Sequence, residues 1–210
     1  MTDSATAARR TDMAAIILAG GRARRLGTPK PGVRLNGETL LDRALRATRG
    51  MAVVVVGPPE LAPSVARHPV ATVTREEPSF GGPAAAVAAG LDELARRKSR
   101  AGRVLVLACD LARVSDAAAA LLTASDRNPD GDGVVLADRS AHRQWLCGIY
   151  GVEALRASAD RLRAAGALAS APARSLFDGM RLHEVPDPGG LSDDIDTPAD
   201  LAAARERIRS

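Results

Sequence analysis

The residues able to do chemistry fall in four places. The first is Leu18-Ala19-Gly20-Gly21, which ends a short apolar run and opens onto Arg22, Arg24, Arg25, Gly27, Thr28, Pro29 and Lys30. Glycines at a strand end let backbone N–H groups approach a ligand with no Cβ in the way. Exposed N–H groups in such a turn form an anion-binding concavity, to which arginine and lysine add full charge and fork-shaped donors. The natural guest is a polyphosphate. The common phosphate loops do not fit: Gly27 is followed by Thr28-Pro29-Lys30 where a Walker A motif needs Lys and then Ser or Thr. The adjacent Gly20-Gly21 pair also fails the G-x-G-x-x-G spacing.

The second place is Arg75-Glu76-Glu77-Pro78-Ser79-Phe80-Gly81-Gly82-Pro83, leading into an alanine-rich run to Leu91. Pro83 suits the first position of a helix and Gly82 its N-cap, so the free N–H groups of that turn face a ligand. The third is Asp110, delivered with Cys109 at the end of the apolar run Arg103–Ala108. An aspartate there is placed to hold a hard cation such as Mg²⁺ on nucleotide phosphates. Its other reading is a helix cap, a role that Ser115 or Asp116 could take instead. The fourth is Asp193-Asp194-Ile195-Asp196-Thr197-Pro198. If extended, it projects Asp194 and Asp196 to one face, where the pair could share a metal with Asp110.

The elements that must position these residues follow a βαβαβ rhythm. Ala14–Leu18, Met51–Val56, Val70–Val73 and Arg103–Ala108 read as buried strands, alternating with helices over Leu40–Arg49, Leu61–Arg67, Pro83 onward and Ser115–Ser125. Strands over Gly133–Ala137 and Trp145–Tyr150, a helix over Val152–Ala165, a strand over Arg181–Val185 and a final helix opened by Thr197 and Pro198 complete the chain. The expected fold is α/β: a three-layer α/β/α Rossmann-like sandwich with a mostly parallel central sheet. Residues 1–12 are expected to be a loose polar tail, and 13–208 one domain.

Composition narrows the function. A 210-residue chain with 2% aromatic residues must build its core from Ala, Val and Leu. Such a domain buries roughly 70% of the surface of its unfolded chain. The formal charge of +4 permits anionic ligands, but no basic helix or RNA-binding signature points to nucleic acid. Cys109 and Cys147 lack metal-type spacing and read as buried small hydrophobes in a reducing compartment. With no signal-type apolar segment at the start and no run long enough to span a bilayer, a cytoplasmic location is expected and a membrane partner is not. His68, His142 and His183 lie outside the four places.

Together these residues resemble one family, the molybdenum cofactor guanylyltransferases of the MobA-like group, which are nucleotidyltransferases with a Rossmann-like core. The likeness runs from about Ala14 to Ala204. It rests on Leu18-Ala19-Gly20-Gly21 with Arg25 and Lys30, on Gly82-Pro83, on Cys109-Asp110, on Leu146-Cys147-Gly148-Ile149-Tyr150 and on Asp194-Ile195-Asp196-Thr197-Pro198. It implies GTP at Leu18, Ala19, Gly20 and Gly21, with Lys30 on its phosphates, an acidic residue near Glu77 holding the nucleotide beside Gly82 and Pro83, and Mg²⁺ (or Mn²⁺) on Asp110. The acceptor is then the terminal phosphate of molybdopterin, attacking the α-phosphate. Arg25 and Lys30 would stabilise the charge that builds there, assisted by metal at Asp110, Asp194 and Asp196. Transient contact with molybdoenzyme assembly proteins, and a monomer or weak oligomer, complete what the likeness implies.

The chain departs from the family pattern at several points. Pro29 stands where Asp usually precedes the loop lysine, and Ala112 where a proline is usual. Val56-Gly57-Pro58 occupies the stretch that typically carries a base-contacting Asn. Asp194 and Asp196 replace two asparagines, a form that cytidylyltransferase relatives also use. Transfer from CTP, another phosphorylated acceptor such as a sugar phosphate or phospholactate, and a non-catalytic nucleotide-binding module therefore stay open as alternatives.

Overall fold

The computed structural model describes residues 12–20 and 29–209. The expectations placed on residues 1–11, Gly21 and Arg25 lie outside the described residues. A seven-stranded sheet forms the centre, in the order β5-β4-β1-β6-β8-β7-β9. Its strands are β1 (Met13–Leu18), β4 (Ala52–Val56), β5 (Ala71–Thr74), β6 (Arg103–Ala108), β7 (Gly133–Ala137), β8 (Arg143–Gly151) and β9 (Leu182–Pro186). β1 pairs in parallel with β4 and with β6, β4 with β5, and β7 with β9, while β8 runs antiparallel between β6 and β7. The sheet is therefore mostly parallel, as expected, with one reversed strand.

Both faces are covered, which is why the parallel strands read as unbroken apolar runs. Alternate residues of β1 serve opposite layers: Ala15 and Ile17 pack with α1 (Leu40–Ala47), α2 (Ala62–Val65) and α4 (Val114–Arg127). Ala14, Ile16 and Leu18 pack with α3 (Pro83–Arg96) and α5 (Val152–Ala164). Gly90 in α3 shows how close that approach is, since a Cβ there would sit 2.8 Å from Ile16 Cγ2. A third, smaller cluster joins Val33, Leu35, Leu40, Ala112 and Ile195 to Ala204 of α6 (Pro198–Arg209).

Three local features differ from the sequence reading. The helix expected over Leu61–Arg67 is a 3-10 turn, Pro59–Leu61, followed by a single α turn, Ala62–Val65. Pro63 fits the first turn of that helix and gives it no following length. Neither Ser115 nor Asp116 caps α4: Arg113 holds the N-cap position and makes no side-chain cap bond. A two-stranded hairpin, β2 (Arg34–Leu35) and β3 (Glu38–Thr39), stands where no strand was expected. Its turn is Asn36-Gly37 with φ of 52° and 86°, the left-handed pair that a type I′ hairpin requires.

Candidate active site

After β1 the chain moves outward to β4 and β5, then returns to form β6 on the other side of β1. The loops leaving the carboxyl ends of β1 and β6 thus diverge, and such a switch point opens a crevice in an open α/β sheet. Lys30 enters this crevice from the β1 side, at the start of a 3-10 turn, Lys30–Gly32. Asp110 enters from the end of β6, where the Cys109 N–H donates to the Leu18 carbonyl at 3.0 Å and ties the two strand ends together.

The late aspartates arrive by backbone pairing. Leu111 and Asp194 form an antiparallel bridge. The Ile195 N–H donates to the Asp110 carbonyl at 3.0 Å and the Ala112 N–H to the Asp193 carbonyl at 3.1 Å. Ile195, fully buried in the third cluster, points inward and so turns Asp194 and Asp196 together toward the crevice. Just beyond, Thr197 and Asp200 cap α6: Thr197 Oγ1 accepts from the Asp200 N–H at 3.2 Å, and Asp200 Oδ2 accepts from the Thr197 N–H at 2.7 Å. Upstream, the buried Asp187 carboxylate braces the loop by accepting from the N–H groups of Leu191 and Ser192 at 2.7 and 2.8 Å.

The result is a triad. One carboxylate oxygen each from Asp110, Asp194 and Asp196 lies within 4.8 Å of the others. Three converging carboxylates are a donor set for a hard divalent cation, so the residues fit the metal that the family implies. Lys30 sits against the same group, its Nζ 2.5 Å from Asp110 Oδ2 and also bonded to Asp196 Oδ1. Burial would lower the Lys30 pKa, but the hydrogen bonds and charges of Asp110 and Asp196 outweigh it and raise it. Asp194 shows the opposite strain: partial desolvation, then the negative charges of Asp196 and Asp110, push its carboxyl upward.

Two cavities of about 380 and 270 Å³ share Gly20, Glu76 and Phe80 in their walls, and Pro29 and Pro31, the chain neighbours of Lys30, line the larger. Ala19 lines the larger; Leu18, Gly82, Pro83 and Leu146 line the smaller. Gly82, at φ 91°, is the N-cap of α3 and hands its carbonyl to the Ala86 N–H. The acidic side chain in these walls is Glu76; Glu77 is exposed and lines neither. Glu76 is held in place by accepting from the Phe80 N–H at 3.2 Å. Phe80 stands in both walls and is 60% exposed, an exposure that nothing in the sequence marks. Cys109 and Cys147 are buried free thiols, and burial pushes both upward, Cys147 to about 12, which favours the neutral thiol.

Lys30 and a carboxylate triad gathered at the switch point of a mostly parallel sheet covered by helices on both faces mark an α/β nucleotidyltransferase fold. The family model described as "MobA-like NTP transferase domain" matches residues 15–185, and the chain belongs to that family. A probable molybdenum cofactor guanylyltransferase of Synechococcus elongatus is 38% identical over 108 residues, 50% of this chain and 53% of that protein. The match thus spans about half the length of that relative. A molybdenum cofactor guanylyltransferase of a Bradyrhizobium species is 31% identical over 154 residues, 72% of this chain and 70% of that one. Among solved structures, molybdopterin-guanine dinucleotide biosynthesis protein A from Archaeoglobus fulgidus superposes with a TM-score of 0.70 over 94% of this chain and 99% of that one, at 21% identity. The 2-C-methyl-D-erythritol 4-phosphate cytidylyltransferase of Thermus thermophilus gives 0.66 over 93% and 98%, also at 21% identity. These two likenesses bear on the fold alone. Among the described residues no helix is long and apolar enough to cross a membrane.

Proposed function

We propose that this protein transfers GMP from GTP to the terminal phosphate of molybdenum-loaded molybdopterin, releasing pyrophosphate. The observation that carries the proposal is the convergence of Asp110, Asp194 and Asp196 with Lys30, whose chain neighbours Pro29 and Pro31 line a largely apolar cavity walled by Glu76. The names of the Synechococcus and Bradyrhizobium relatives supply the acceptor. Guanine is favoured by Glu76: a carboxylate only accepts hydrogen bonds, and guanine offers adjacent N1–H and N2–H donors on its Watson–Crick edge. Cytosine and adenine each offer a single amino group there, beside acceptors that would face the carboxylate.

Asp110, Asp194 and Asp196 would hold Mg²⁺, which when bound supplies charge neutralisation and Lewis acidity to the phosphates. Lys30 exchanges its carboxylate partners for phosphate oxygens, and together with Arg25, Gly20 and Gly21 stabilises charge on the triphosphate and on the departing pyrophosphate. An oxygen of the acceptor phosphate forms the new bond to the α-phosphorus as the bond from that phosphorus to the bridging oxygen of pyrophosphate breaks. The attacking phosphate is already largely anionic at neutral pH, so no general base is required and positioning carries the rate. The test is pyrophosphate release with Mg²⁺, molybdenum-loaded molybdopterin and GTP, CTP, ATP or UTP in turn. Release with GTP supports the proposal; release with CTP instead refutes the base assignment, and silence with all four on verified acceptor refutes the acceptor.

A further inference from the structure

Phe80 stands where glycine would strain the fold less. It is the third residue of a turn over 78–81, closed by the Gly81 N–H donating to the Pro78 carbonyl at 2.9 Å. Its φ is 62°, in the left-handed region, where the third residue of such a turn is ordinarily glycine or asparagine. A bulky side chain there crowds its own backbone, and the apolar ring is exposed to solvent as well. Both penalties fall on one residue. Strain of this kind persists where the surroundings fix it, and it gathers at ligand clamps. Here the surroundings do fix it. The Phe80 N–H donates to Glu76 Oε1 at 3.2 Å, and the Ser170 N–H ties down the turn by donating to the Gly81 carbonyl at 2.6 Å.

The ring is held at cavities with a definite chemistry. Phe80 lines both the 380 and the 270 Å³ cavity, and among the described residues it is the only aromatic in either wall. In the larger, Pro29, Pro31, Pro58 and Leu61 add apolar surface, and only Arg75 and Glu76 carry charge. Such a lining suits a flat guest with apolar faces and polar edges, which is a heteroaromatic ring. A guest of that shape stacks offset on an aromatic face. Its edge donors meet the Glu76 carboxylate, which can only accept. Face and edge are thus offered by two residues four apart in the chain, tied to each other by one hydrogen bond.

We propose that Phe80 is the base-stacking residue of the nucleotide crevice, laying its ring on the purine of the bound nucleotide while Glu76 reads the edge. This rests on the nucleotidyl-transfer reading of the same crevice, which assigns no group to the face of the base. The two residues then divide the work. Every base has a π-face, so Phe80 supplies affinity with little regard to which base is bound. Glu76 supplies the choice. Loss of the ring should therefore weaken all nucleotides together, whereas loss of the carboxylate changes their order.

The test joins nuclear magnetic resonance and titration calorimetry on the full chain with Mg²⁺ and no acceptor. The chain has two phenylalanines, and Phe177 is buried against Trp145 and Tyr150, so ring-labelled phenylalanine gives one exposed signal set and one internal reference. The Phe80 set is identified by its loss in Phe80→Gly. GTP should shift that set saturably and give a nuclear Overhauser contact between the ring and guanine H8, with Phe177 unmoved. Phe80→Gly should weaken GTP and ATP binding by about tenfold each, the loss of one base stack, with their ratio unchanged. Because glycine suits the turn, its Tm should stay within about 4 °C of wild type. Phe80→Tyr keeps the ring and should bind GTP within about twofold of wild type. The proposal alone is overturned if GTP binds but leaves the Phe80 signals in place, or if tripolyphosphate, which has no base, moves them equally. It is also overturned if Phe80→Gly binds GTP as wild type does. If no nucleoside triphosphate binds, the nucleotidyl-transfer reading fails and takes this proposal with it.

Discussion

Replacing Asp110 by asparagine removes one of three clustered carboxylates while keeping the side-chain volume. Its contact with Lys30 is 2.5 Å between groups only 14% and 18% exposed, so solvent screens it little. Hydrogen bonds to charged groups contribute roughly 1.5–3 kcal/mol, which is about 10- to 150-fold in an equilibrium constant. In the proposed reaction Asp110 is both a metal ligand and a contact that positions Lys30, so the loss in kcat/KM should reach at least about 100-fold. Stability should hardly change. Asp196 still binds Lys30, and removal of the Asp110 charge relieves one of the repulsions that raise the Asp194 pKa. A Tm within about 4 °C of wild type is therefore expected, together with at least roughly tenfold weaker Mn²⁺ binding by electron paramagnetic resonance. Pyrophosphate release followed as a function of nucleotide concentration reads kcat/KM. An Asp110→Asn protein that is folded, binds Mn²⁺ normally and keeps turnover within about threefold of wild type would refute the reasoning.

Other perturbations follow from the same contacts. Glu76→Gln replaces an acceptor-only group by one that also donates, so discrimination between GTP and ATP should fall by roughly tenfold or more, read as the ratio of kcat/KM values. Because Asp194 is raised in the folded state, the native protein binds the extra proton just above the ordinary aspartate range. Its contribution to stability therefore declines as pH rises through that window, and urea unfolding with and without Mg²⁺ should show the metal stabilising the protein more at pH 7 than at pH 4. Gly90→Ala drives a methyl to 2.8 Å from Ile16 Cγ2 and should cost about 1–3 kcal/mol in urea unfolding.

Much of the fold was legible because burial on both sides of the sheet leaves continuous apolar runs. Arg103–Ala108 is a strand over the very residues its composition marks. Helix ends were legible where capping chemistry is local, as at Gly82-Pro83 and at Thr197 with Asp200. The meeting of Asp194 and Asp196 on one face follows from the two-residue strand period, although their approach to Asp110 depends on the Leu111–Asp194 bridge, a long-range pairing. The reversed direction of β8 is likewise long-range and left no mark on its apolar pattern. Glu76 and Glu77 are adjacent and chemically identical in sequence; only the path of the chain beyond β5 sends one to the cavity and the other to solvent. The β2–β3 hairpin was different: Asn36-Gly37 is a strong local turn signal, and the two-residue strands around it are too short to show a period.

The most direct measurement is the fate of the α-phosphate. GTP labelled at that phosphorus is incubated with the protein, Mg²⁺ and molybdenum-loaded molybdopterin, and the products are separated. Guanylyl transfer predicts the label in a guanine dinucleotide form of the cofactor, with one unlabelled pyrophosphate released per label transferred. Label that stays in GTP, or appears only as free GMP while the acceptor is unchanged, would contradict the account.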